Sequence, residues 1–169
     1  MTTGAQLGAL AGAAVSFFSV QYAGAHMIFP SIGGVLALLV CKKTSFGPKR
    51  FHWAISLAFA HLTWFVVGAL LAGSAMPVMG DVAVLGLGIA ALWVRPSRPS
   101  ALVLAVPTVV FLAINLYMLA SAKVGTLEHK ALFVHSVLRL GLLAALWEGE
   151  AELRRDSAVA ASPTERESA

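Results

Sequence analysis

Charge is scarce in this chain of 169 residues. Only 12 basic and 8 acidic side chains are present, so charged residues make up 12% of the sequence, against about 25% in an ordinary soluble domain. They are also badly spread. Nine of the twenty fall from Glu148 onward, and the first 41 residues carry none. This excludes a water-soluble globular enzyme. It also argues against a nucleic-acid binder, because the basic residues flank apolar runs instead of forming a patch. The single cysteine, Cys41, excludes an internal disulfide and a cysteine-rich metal centre. Beside Lys42 and Lys43 at the end of an apolar run, it reads as apolar filler in preference to a lipidated thiol. Carboxylates are rarer still. Before Glu148 there are two, Asp81 and Glu128.

What fills the space is hydrocarbon. Hydrophobic residues make up 59% of the chain and the mean hydropathy is +0.83. Long uncharged apolar runs read as membrane spans. The stretch 4–41 has no charge. As one helix it would measure about 57 Å, against about 30 Å of hydrocarbon. Two segments, 4–23 and 26–41, joined near Ala23-Gly24-Ala25, fit that length better than one long helix kinked at Pro30. The same small residues look like a signal-peptide cleavage site, but the positively charged region that should precede it is missing.

Four further runs follow at 52–73, 77–94, 101–122 and 131–147. Between them lie turn residues and charges. In Arg95-Pro96-Ser97-Arg98-Pro99-Ser100 the two prolines predict a helix break. Glu150 and Arg154, spaced i,i+4, predict a short helical extension past Trp147. From Ser157 the composition predicts disorder. The expected architecture is therefore all-α: a polytopic transmembrane helix bundle of five or six spans, with six preferred. Residues 1–148 form the membrane domain and residues 149–169 a polar, partly disordered tail.

Lysine and arginine fix an expected orientation. Lys42, Lys43, Lys49, Arg50, Arg95, Arg98, Arg154, Arg155 and Arg166 fall on one side; Lys123 and Lys130 fall on the other. The first side is then cytoplasmic, the C-terminus included, in a cell (inner) membrane. Trp53, Trp93 and Trp147 fall at the same ends, where indole rings favour the interface. Small residues recur at Gly4, Gly8, Gly12 and Ser16, and at Ser56, Ala60, Gly68 and Ala72. Both series permit close helix contact in lipid, within the chain or between copies of it.

Ionisable groups inside apolar runs are costly and mark candidate sites. Arg139 is central in the run 131–147. A central arginine costs at least about 2.5–3.5 kcal/mol, and it cannot escape by losing its proton. His135 and Ser136 share its face at helical spacing. Asp81 and Glu128 lie near the outer surface, which points to backbone carbonyls or Asn115 as the arginine's partners. His61 lies mid-run at 52–73, where an imidazole can bind haem iron, relay protons or bind substrate, or simply bond to a neighbouring carbonyl or to Asn115. His26 ends a polar face with Ser16, Ser19 and Tyr22. His129 and His135 are six apart, a poor spacing for joint metal binding, so His129 reads as a solvated loop residue and no metal site is expected.

The candidate ligand-binding residues are thus Arg139, His135, Ser136, His61, Asn115 and His26. They suit an anionic or hydrogen-bonding ligand. The expected function is a small binding or transport-type membrane protein, or a subunit of a membrane complex. Its expected partners are membrane lipids, a second copy or a complex partner. Two alternatives use the histidines differently. His61 with His135 or His26 would supply axial ligands to a b-type haem. A histidine with a carboxylate would serve an enzyme acting on a lipid-like substrate, but the shortage of intramembrane carboxylates and of any repeated HxxHH box weighs against it.

Overall fold

The computed structural model describes residues 28–43, 49–73 and 76–161. Within them lie five α-helices: α1 (Ile28–Lys43), α2 (His52–Ala72), α3 (Met79–Val94), α4 (Arg98–Ser121) and α5 (Leu127–Ala161). Single 3-10 turns precede α2 at Lys49–Phe51 and α3 at Met76–Val78. Three segments are long and apolar enough to cross a membrane: Lys49–Leu71, Arg98–Ser121 and Leu127–Val159. Helix α3 is apolar but has only 16 residues, a length of about 24 Å against about 30 Å of hydrocarbon. The segment 4–23, the small-residue series from Gly4 to Ser16, and His26 lie outside the described residues.

Helix ends follow local chemistry. Helix α2 stops where Gly73 takes φ 66°, the left-handed conformation a glycine adopts without a Cβ clash. The predicted helix break falls at 95–97, between α3 and α4. Ser97 caps the helix through Ser100 N–H, and Pro99 sits in the first turn, where its missing N–H costs nothing. At α5, the Thr126 hydroxyl accepts from the His129 N–H at 3.2 Å. The helix therefore begins at Leu127, and His129 lies in its first turn instead of a loop. At the other end the helix runs to Ala161, so residues 157–161 are helical and not disordered. The Glu150–Arg154 pair forms, at 2.8 Å.

Every packed neighbour pair is antiparallel. Helix α5 lies along α2 in one register: Gly149 meets Phe51, Gly141 meets Leu57 and His135 meets His61. Helix α1 closes on α2 at Gly34, whose carbonyl accepts from the Ser56 hydroxyl at 2.7 Å. A Cβ on Gly34 would stand 3.0 Å from that of Ala60, so two members of the Ser56 series do mediate close contact. A Cβ added on Gly68 would meet nothing within 4 Å among the described residues. Gly88 packs against Leu104 between α3 and α4.

The core runs through Phe51, Ile55, Leu92, Leu104 and Leu142, each almost wholly buried. One end of the bundle is charged: Arg50 pairs with Asp156, and Arg98 reaches Glu150 at 2.9 Å. The flanks are the reverse of a soluble protein. Leu87, Val106, Val110, Leu140 and Leu70 are exposed, whereas Ser56, His61, Thr108, Ser136 and Arg139 are buried. An apolar exterior over a polar interior suits hydrocarbon better than water.

Candidate functional site

Two linked polar pairs occupy the middle of the bundle. The first is ionic. Arg139, only 4% exposed, pairs through a terminal guanidinium nitrogen with a carboxylate oxygen of Asp81, itself 19% exposed. Asp81 is the third residue of α3, where the N–H-rich helix start favours an acid. Helical side chains lean toward the N-terminus, so Arg139 extends along α5 toward the end where α3 begins. That reach is why the partner is Asp81, and neither a backbone carbonyl nor Asn115. Phe111 of α4 lies under the guanidinium carbon, 5.0 Å from ring centre to Cζ, within cation–π range.

The second pair is imidazole on imidazole. His61 Nε2 and His135 Nδ1 are 2.7 Å apart across 74 residues of sequence. One proton lies between them, donated by whichever ring carries it. Phe65 stacks on both histidines, 4.7 Å from His61 and 4.8 Å from His135. Trp64 meets His135 edge-on at 5.3 Å. Because His135 is one helical turn from Arg139, α5 carries both pairs on one face.

Among the described residues, three buried nitrogens have no hydrogen-bond partner: Arg139 Nε, Asn115 Nδ2 and His61 Nδ1. The first two are donors only. They come from α5 and α4, and the third from α2. Unmet donors in an apolar interior are costly, so the region has spare capacity for an acceptor. Ser136 does not add to it, since its hydroxyl donates to the Leu132 carbonyl within α5 at 2.8 Å.

The structure thus brings together three of the residues singled out by sequence: His61 pairs with His135, and Arg139 lies one turn from His135 on α5, while Asn115 lies on α4 and bonds to none of them. His26 is outside the described residues. Asp81 is the addition. The two histidine rings meet directly, and a metal bound to both nitrogens would need about 2 Å on each side, so a haem would have to part them. Among the described residues no group of three or more His, Cys, Asp or Glu is placed to hold a metal ion. Beyond the polar pairs, an apolar cleft of about 480 Å³ lies between the end of α2 and the start of α3, with Val66, Leu70, Val78 and Val82 in its walls.

Comparison with protein-family models, with curated proteins and with solved structures returned no match.

Proposed function

We propose that the chain is a small multi-pass integral membrane protein of the binding or transport type, with its ligand site at Arg139, Asp81 and the His61–His135 pair. It sits in a cell membrane with its basic end and polar tail in the cytoplasm. Supporting the membrane setting are the three long apolar helices and the exterior of exposed leucine and valine.

The observation that carries the site is Arg139 itself: a buried guanidinium with one terminal nitrogen on Asp81 and its Nε–H unmet. A purely structural clamp would spend all its donors on the protein. Here donors on α4 and α5 are left over, which favours a ligand rich in acceptors. An intramembrane polar site of this kind, built from facing helices, is how small substrates are held at bilayer depth. Service as a subunit of a membrane complex is compatible with the same site, the ligand then being a group on the partner.

The test is Arg139→Leu in purified protein in mild detergent. Small organic acids should raise the melting temperature of the wild type and leave the variant's unchanged. Equal stabilisation of both proteins would reject the site. An absorption spectrum of the same preparation, after expression with haem supplied, addresses the haem alternative: a Soret band would favour the histidine pair as axial ligands.

A further inference from the structure

Arg139 and Asp81 neutralise each other, and this constrains what can bind. Resting on the reading of Arg139 as a ligand site, we infer that the site takes a small monovalent organic oxyanion together with one proton. The oxyanion replaces Asp81 on the guanidinium, and Asp81 receives the proton.

Three observations lead there. First, the group now held by the guanidinium is a carboxylate, so the ligand group that fits in its place is another planar or compact oxyanion. Second, the pair is enclosed. Arg139 is 4% exposed and Asp81 19%, so an anion added without compensation would leave a net negative charge in an apolar interior, which is strongly disfavoured. Third, Arg139 is the ion-pair partner of Asp81 among the described residues, so displacement leaves that carboxylate uncompensated. The charged or titratable residues of α2 are His52, at its start, and His61. Those of α4 are Arg98 and Tyr117, the first at the cytoplasmic end and the second exposed. On α5 the group beside Arg139 is His135, bonded to His61, whose Nδ1 has no partner among the described residues; Glu128, His129 and Lys130 lie at the start of that helix. Of these groups Asp81 is the one whose partner the anion displaces, and it takes up the proton; uptake retained in Asp81→Asn would place the proton on the histidine pair and overturn this assignment.

The step balances. The anion forms hydrogen bonds to the guanidinium as Asp81 leaves it, and a solvent proton forms an O–H bond on the freed Asp81 carboxylate. Net charge in the site is zero before and after. Val78, in the turn before α3, and Val82, within it, wall the apolar cleft and flank Asp81 in sequence, which suits an apolar tail on the ligand.

The probe is butanesulfonate, whose own group stays ionised throughout the neutral range, so any proton taken up must go to the protein. The full chain in lipid nanodiscs is titrated calorimetrically at pH 6, 7 and 8, in buffers of different ionisation enthalpy. The expected result is a Kd that rises about tenfold per pH unit, with one proton taken up per anion bound. Asp81→Asn, which cannot take the proton, should bind with a pH-independent Kd and no proton uptake. Should that variant fail to fold, the wild-type proton count alone decides. Binding of the probe with no proton uptake and no pH dependence overturns the coupling while leaving the Arg139 site intact. No binding at any pH overturns both.

Discussion

Three variants separate the worth of the Arg139–Asp81 pair from the penalty for breaking it: Asp81→Leu, Arg139→Leu and the double substitution. Asp81→Leu strands a guanidinium that is 4% exposed and cannot shed its proton, so its cost should be the full uncompensated-charge penalty of about 3–5 kcal/mol. Arg139→Leu strands a carboxylate that is 19% exposed. Asp81 can recruit water or a proton, which brings the expected cost down to about 1–3 kcal/mol. The double variant leaves no stranded charge and should fall within about 1 kcal/mol of wild type. The coupling free energy is then about 3 kcal/mol or more. Unfolding in mixed micelles, driven by a denaturing detergent and followed by tryptophan fluorescence, measures all three. Additive costs, agreeing within about 0.5 kcal/mol, would show that the two residues do not meet and would remove the centre of the proposed site.

Other substitutions test the packing. Gly149→Ala puts a Cβ 2.5 Å from the Phe51 ring and 2.9 Å from the Arg50 carbonyl, so it should destabilise by about 1–3 kcal/mol. Gly68→Ala, with nothing within 4 Å, should be neutral or stabilise by up to about 1 kcal/mol; thermal melting of the two variants side by side checks both. His61→Leu leaves His135 Nδ1 without its partner and should lower stability by about 1–3 kcal/mol, again read from the melting curve. Glu150→Gln weakens the bonds to Arg98 and Arg154, both arginines being well exposed. It should lower the melting temperature only slightly, and the difference from wild type should vanish at molar salt.

Helix positions were largely legible because their signals are local. The apolar run 52–73 appears as α2, His52–Ala72, with Gly73 as its cap. The run 77–94 appears as α3 starting two residues later. Misreadings cluster where a side chain alters a boundary: Ser97 and Thr126 start α4 and α5 earlier than the apolar runs do.

The site was legible in its members more than in its pairings. Arg139, His135 and His61 stand out because each is costly in an apolar run. Which of them meet depends on the register of α2 against α5, which no spacing within either helix contains. Backbone position alone puts Asp81 near the outer end of its run, away from the centre where Arg139 lies. The length of an arginine and the lean of helical side chains were the signals that point to it. Asn115 is polar and buried in part, yet it joins neither His61 nor Arg139, and nothing in its sequence surroundings foretells that.

Helix α5 runs unbroken for 35 residues, from the turn at Thr126 to beyond the charged end. It behaves as a stiff rod with no joint between its tail and its middle. Sliding it by a single residue, about 1.5 Å, would shift Asp156 against Arg50 and His135 against His61 at the same instant. Whatever grips the tail therefore has a mechanical hold on the polar centre of the bundle.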